Sequence, residues 1–164
     1  TQLLPILNAI RESVEPKPGV ELIVSCPPQL TTIGDPGLIE QACFNLLSNA
    51  AAHTDTGTIT IDAELAGTGC TITITDTGSG IAPEESERIF ERFYRAGEPS
   101  HDGFGLGLAI ARSCANALGG ELEIASSPGL GTVAVVTLPA GLLAGGQGEH
   151  PEPPSRQQHE EATT

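Results

Sequence analysis

Apolar residues recur at three- and four-residue intervals through Leu3, Ile6, Leu7, Ile10 and Val14, a spacing that predicts an amphipathic helix over 2–14. The Glu15-Pro16-Lys17-Pro18-Gly19 cluster ends it. Val20 to Ser25 alternates, is rich in β-formers and predicts a strand, broken by Cys26-Pro27-Pro28, and a short extended piece at 31–33 is expected to pair nearby. Asp35 before Pro36 is an N-cap followed by proline at the first helical position, so a second helix runs to about Ala52. The period then changes to two. Thr58 to Leu65 and Cys70 to Asp76 predict a hairpin around Ala66-Gly67-Thr68-Gly69, a slightly long loop. Pro83 opens a short helix reaching about Phe93, an irregular piece covers 95–103, and a further helix over 106–118 is closed by Gly119-Gly120. Glu121 to Ser126 and Thr132 to Leu138 form another hairpin across Pro128-Gly129-Leu130-Gly131. Helices and hairpins in this order predict an α+β fold, a two-layer sandwich of one mixed sheet with helices packed on one face.

Two polar residues interrupt the second helix. Asn45 and Asn49 lie one turn apart and share an edge, beside the apolar stripe of Ile39, Cys43, Leu46, Leu47 and Ala50. A buried amide costs about 1 to 3 kcal/mol unless its hydrogen bonds are made, so this edge faces either water or a polar ligand.

Composition narrows the choice of ligand. The chain has 164 residues, enough for one domain, expected over 1–140, with a disordered Gly/Pro/Glu/Gln-rich tail over 141–164. Its formal charge of −14 repels nucleic acid and anionic membrane surfaces, and an anionic ligand requires a locally positive site. No run of 18 apolar residues is present to span a membrane. Cys26, Cys43, Cys70 and Cys114 lack metal-ligand spacing and read as reduced core residues of a cytosolic protein. The chain has no methionine and reads as a fragment or excised domain.

Three further stretches bear on the asparagines. Asp76-Thr77-Gly78-Ser79-Gly80-Ile81 places an acid at the end of an apolar strand, followed by glycines that let the backbone turn tightly and approach a ligand. A buried carboxylate must accept hydrogen bonds, which an exocyclic purine amine supplies; an ordinary turn leaving a strand is the competing reading. Gly103-Phe104-Gly105-Leu106-Gly107-Leu108 runs into a helix, where exposed N–H groups and the helix dipole favour phosphate. It does not follow a strand, which counts against a Rossmann dinucleotide site. Ile89-Phe90-Glu91-Arg92-Phe93-Tyr94-Arg95 gathers three of the five aromatic residues beside two arginines, a pattern suited to anchoring the hinge of a lid.

Taken in order, NLLSNA, DTGSGI, FERFYR, GFGLGL and GLGT at 129–132 resemble the ATP-binding domain of bacterial sensor histidine kinases, over about residues 1–139. The resemblance implies a Bergerat-type fold that binds ATP and Mg2+. It makes Asn49 the magnesium ligand, with Asn45 beside it, and Asp76 the acceptor for the adenine amino group, with Thr132 nearby. Gly78, Gly80 and Ile81 belong to the adenine pocket. Gly103, Gly105, Leu106, Gly107 and Leu108 belong to a lid over the triphosphate, and Arg95, after Tyr94, is a candidate phosphate contact. Many members carry a basic and an aromatic residue three and four positions after the magnesium asparagine; here these are Ala52 and His53. That shifts weight onto Arg95, Arg92 or His101, while His53 is placed to donate to phosphate, stack on the nucleotide, or serve simply as a helix-end residue.

The wider superfamily includes gyrase, heat-shock and mismatch-repair ATPases, in which a glutamate four residues before the magnesium asparagine activates water. Asn45 occupies that position here and cannot act as a general base. The resemblance therefore implies transfer of the γ-phosphoryl group to a protein histidine. His53, His101, His150 and His159 all lack the family's acceptor context, so the acceptor is expected on an upstream phosphoacceptor and dimerisation hairpin, with a response regulator as the next partner. No catalytic side chain is identifiable in the chain itself. A cytoplasmic domain is implied, without direct membrane contact, in a parent protein open to anchoring through other regions. A nucleotide-sensing module without kinase activity, or a related ATPase, is the alternative.

Overall fold

The structure is a computed structural model in which residues 1–91 and 106–139 are described. Along the chain these residues form α1 (Leu3–Ser13), β1 (Val20–Ser25), α2 (Pro36–His53), β2 (Gly57–Ala66), β3 (Gly69–Asp76), α3 (Pro83–Ser86), α4 (Gly107–Ala117), β4 (Glu121–Ser127) and β5 (Gly131–Pro139). The strands make one sheet in the order β1-β2-β3-β5-β4. β1 runs parallel to β2, and the remaining pairs are antiparallel. The sheet is therefore mixed, and α1, α2 and α4 contribute to a single core with its inner face, as the sequence order predicts.

Strand period two explains the two faces. Ile59 and Ile61 of β2, Cys70, Ile72 and Ile74 of β3, and Ala134, Val136 and Leu138 of β5 are buried on the inner face. Thr60, Thr73 and Thr75 alternate with them on the outer face. Against this layer pack Leu3, Leu7 and Ile10 of α1 and Ile39, Cys43, Leu46, Leu47 and Ala50 of α2. Full burial of each large aliphatic side chain contributes about 1.5 to 3 kcal/mol. The four cysteines are free; Cys43, Cys70 and Cys114 are buried as expected of core residues, whereas Cys26 is only half-buried. Burial pushes the Cys43 thiol up to about 12.

The start of α2 follows the sequence closely. Asp35 accepts a hydrogen bond from the N–H of Leu38 at 3.0 Å, satisfying one of the helix's unpaired donors, and Pro36 occupies the first turn. Replacing Asp35 with Ala should cost about 1 kcal/mol of stability, measurable by urea denaturation. A cost indistinguishable from zero would mean that the cap contributes nothing. At the other end of α2, the buried Thr54 hydroxyl donates to the Ala50 carbonyl at 2.7 Å, and the Lys17 ammonium donates to that of Ala52 at 3.0 Å.

Two local expectations are corrected. Pairing of Ala66 with Gly69 leaves only Gly67 and Thr68 in the hairpin loop, with Gly67 at φ +59°, so the turn is tight rather than long. The helix opened by Pro83 lasts one turn. Beyond it the N–H of Arg88 bonds to the Glu85 carbonyl, and that of Glu91 to the Arg88 carbonyl, a three-residue repeat that replaces α-helical bonding. The short piece at 31–33 does pair: Thr31 bridges Gln2, and the Thr32 hydroxyl and the Ile33 N–H both donate to the Pro139 carbonyl. The proposed tail over 141–164 and the irregular piece at 95–103 lie outside the described residues.

Candidate functional site

At one end of the sheet the inner face turns polar. Register places Ile59 opposite Asp76, Asp76 opposite Thr132, and Thr132 opposite Ser126, so one row crosses β2, β3, β5 and β4. The next row inward is Ile61, Ile74, Ala134 and Ile124. Asp76 is therefore an acid at the boundary of an apolar layer, and it is only 5 % exposed.

Three neighbours hold the carboxylate there. The N–H of Gly78 donates to its Oδ1 at 2.8 Å, the N–H of Thr132 donates as well, and His53 adds a favourable charge interaction. Burial still dominates and raises the Asp76 carboxyl above its ordinary value. Between the ordinary and raised values the folded chain binds more protons than the unfolded chain, so ionisation of Asp76 costs stability above that window and the cost disappears as pH falls through it. The stability difference between Asp76→Asn and the wild type, followed by urea denaturation, should therefore change as pH falls from neutral into the ordinary carboxylate range, with the wild type gaining relative to the variant. A difference constant with pH would mean an unshifted carboxyl.

The loop after Asp76 is tied to both layers. The Ser79 N–H donates to the His53 carbonyl at the end of α2, and the Ser79 carbonyl accepts from the Gly129 N–H in the β4–β5 turn. The Ile81 N–H donates to Ser126 Oγ at 2.8 Å. Only glycine fits at 78, where a Cβ would lie 2.3 Å from the His53 carbonyl oxygen, and at 80, where φ is +72° and a Cβ would meet the Ser127 oxygen at 2.0 Å.

α2 supplies the adjacent wall. Asn45, Asn49 and His53 are half-buried along one edge. Asn45 Nδ2 donates to the Gln41 carbonyl at 2.7 Å, and its Oδ1 lies toward Gly107, the first residue of α4, where a Cβ would come within 3.5 Å of it. The start of α4, including Leu106 and Leu108, thus lies beside the asparagine edge. On an adjoining face of α2, a depression of about 360 Å³ lined by Val14, Lys17, Phe44 and Ser48 includes neither asparagine.

The structure therefore brings together Asn45, Asn49, His53, Asp76, Gly78, Gly80, Ile81, Thr132 and the start of α4 around the open end of the sandwich. Tyr94, Arg95, Gly103 and Gly105 lie outside the described residues, as do Arg92 and His101. Of the aromatic stretch, Ile89 is buried and Phe90 half-buried, with the Arg112 guanidinium 4.6 Å from the Phe90 ring centroid. Ser126 is the member that sequence reasoning misses. Its signal is the alternation Leu122, Ile124, Ser126, which aims a hydroxyl inward at the end of an apolar series.

Among the described residues, no group of three or more His, Cys, Asp or Glu side chains is placed to hold a metal, and no helix is long and apolar enough to cross a membrane. The donor set on the α2 edge is instead neutral amide oxygen. This fits a hard cation such as Mg2+, which takes oxygen ligands and keeps several from water or phosphate.

Comparisons with known proteins agree with this architecture. Residues 34–142 match the family described as histidine kinase-, DNA gyrase B-, and HSP90-like ATPase. The sensor-like histidine kinase SenX3 of Mycobacterium tuberculosis is 39% identical over 137 residues, covering 81% of this chain and 33% of that protein. The sensor histidine kinase AtsR of Burkholderia thailandensis is 42% identical over 141 residues, covering 80% of this chain and 23% of that protein. The chain thus spans a third or less of the length of these curated relatives. Among solved structures, the mycobacterial sensor histidine kinase MprB superposes with a TM-score of 0.69 at 32% identity, covering 83% of this chain and 91% of that one. Full-length ShkA, solved in complex with AMPPNP, gives a TM-score of 0.75 at 29% identity, covering 88% of this chain and 32% of that one. With the family match covering more than half of its length, the chain belongs to the histidine kinase-, DNA gyrase B-, and HSP90-like ATPase family and is an ATP-binding domain of the sensor-histidine-kinase type.

Proposed function

We propose that the domain binds Mg-ATP between the Asp76 row and the asparagine edge of α2, and that it donates the γ-phosphoryl group to a histidine on a phosphoacceptor domain of the parent protein. A response regulator aspartate is the next acceptor. The observation that carries this reading is the juxtaposition of a buried, acceptor-only Asp76 at one end of the site with a neutral amide edge, Asn45 and Asn49, along its wall. Asp76 suits the amino group of adenine. Asn49 would hold Mg2+ through its amide oxygen, adding no negative charge beside a triphosphate; the ion's contribution is to neutralise charge on the phosphates. ShkA, similar in fold, was solved in complex with AMPPNP, which supports the nucleotide-binding part of this reading.

Asn45 bears on the kind of reaction. Its amide is neutral, and its Nδ2 is engaged by the Gln41 carbonyl, so it offers no base to activate water. Transfer to an imidazole nitrogen needs no such base at that position. The bond between the γ-phosphorus and the β–γ bridging oxygen breaks, a P–N bond forms to the acceptor imidazole, and ADP leaves with the bridging oxygen. Positioning and charge neutralisation supply the rate.

The test is to mix the chain with a cognate acceptor hairpin and γ-labelled ATP. Acid-labile label on the hairpin is the expected result. Tight Mg-ATP binding with no label on either protein would sink the kinase reading while leaving the nucleotide site in place.

A further inference from the structure

Ser126 sits at the end of the polar row, at the β4 edge, and makes three short contacts through one oxygen. Its Oγ lies 2.8 Å from the Ile81 nitrogen, 2.9 Å from the Gly131 carbonyl oxygen and 2.8 Å from Thr132 Oγ1. A serine hydroxyl has one proton to give and two lone pairs to accept with. The Ile81 N–H can only donate, which fills one lone pair. The Gly131 carbonyl can only accept, which uses the serine proton. A proton for the third contact must then come from Thr132, which fills the second lone pair. No other assignment supplies a proton to all three contacts; if Ser126 donated to Thr132, two oxygens would face each other at 2.9 Å with none between them.

The consequence falls on Thr132. With its single proton turned toward Ser126, its hydroxyl presents only lone pairs to the rest of the site. Register sets it directly across from Asp76, whose ionised carboxylate is also acceptor-only. We infer that Ser126 is a positioning residue that fixes Thr132 as an acceptor, so that the row of Asp76 and Thr132 selects purines bearing a 6-amino group over those bearing a 6-oxo group. An amino group offers two N–H donors, directly or through a bridging water. A 6-oxo group brings a third acceptor to a site that already has two, and leaving buried polar groups unpaired is what gives such sites their discrimination. The inference rests on the nucleotide reading above and extends it to a residue outside the set that the family motifs identify.

The experiment compares the affinities of the full chain for ATP and inosine triphosphate by calorimetric titration. Ser126→Ala frees the Thr132 hydroxyl to rotate and donate, and should lower the ATP to inosine triphosphate affinity ratio by about tenfold, the effect of one hydrogen bond in a buried site. Ser126→Thr, which keeps the hydroxyl, should retain the wild-type ratio. Thr132→Val should lower the ratio as well, and adding Ser126→Ala to it should change the ratio no further, since the serine acts through the threonine. A wild-type ratio in Ser126→Ala, or additive effects in the double variant, would overturn the inference. If Ser126→Ala does not fold, an unchanged ratio in Thr132→Val overturns it equally. Failure of the wild-type chain to bind ATP at all is a distinct result, which removes the nucleotide reading itself.

Discussion

Asp76→Asn is expected to abolish measurable ATP binding, lowering affinity about a hundredfold or more, while leaving the folded spectrum of the domain intact. The physical reason lies in what each side chain can accept. Asp76 already receives the Gly78 N–H on Oδ1 at 2.8 Å and the Thr132 N–H, and still has lone pairs to offer a ligand amine. Asparagine has one acceptor oxygen and one donor amide. If its oxygen stays with Gly78, its NH2 group meets the ligand amine donor to donor; if it turns over, the NH2 group meets the Gly78 N–H. Either way one buried pair is mismatched. The fold is spared because the substitution keeps volume and removes a desolvated charge. Titration calorimetry for binding and circular dichroism for folding decide it. Unchanged affinity would take Asp76 out of contact with the base.

The second large effect is expected at Gly131. Here φ is +92°, and an added Cβ would lie 1.9 Å from the Asp76 carbonyl oxygen and 2.8 Å from its carbon. Both atoms are backbone at the join of β3 and β5, where no side chain can swing away. Gly131→Ala should therefore cost about 3 kcal/mol or more in urea denaturation and also weaken nucleotide binding, because relief of the clash drags Asp76 out of register with Thr132. Gly129→Ala is the control. It too has a positive φ, +75°, but nothing lies within 4 Å of its added Cβ, so only the left-handed backbone penalty of about 1 kcal/mol applies. Equal losses at the two positions would show that the approach to Asp76 does not matter.

Much of the layer architecture was legible from periodicity because burial on one face repeats it. Val20 to Ser25 alternates in sequence and in exposure alike, and the predicted strand and the observed one coincide. Asp35 and Pro36 mark the start of α2 through local chemistry that needs no tertiary contact. The helix from Pro83 was less legible. Ile89 and Phe90 suit a continuing helix, yet a tertiary pull, with Ile89 buried and Phe90 under Arg112, favours turns bonded at three-residue intervals. The candidate site divides in the same way. Asp76 announced itself as an acid ending an apolar alternation, and Asn45 with Asn49 as amides on a core helix. Ser126 did not, because a serine at a strand end reads as surface until cross-strand register sets it beside Thr132 and the Ile81 nitrogen. The meeting of Asn45 with Gly107 joins residues far apart in the chain, and no local pattern encodes it.

The ties on the loop at 76–81 have a thermodynamic consequence. His53 holds it from the helix layer, while Gly129 and Ser126 hold it from the sheet layer, so the backbone beside Asp76 is fixed by bonds that need no ligand. Ordering a loop on binding costs conformational entropy, about 1 to 2 kcal/mol per residue frozen. At the proposed base end of the site that cost has already been met during folding. On the proposed reading, nucleotide capture there would be recognition by a finished surface, with the enthalpy of its few hydrogen bonds going into affinity and base selection instead of into organising the protein.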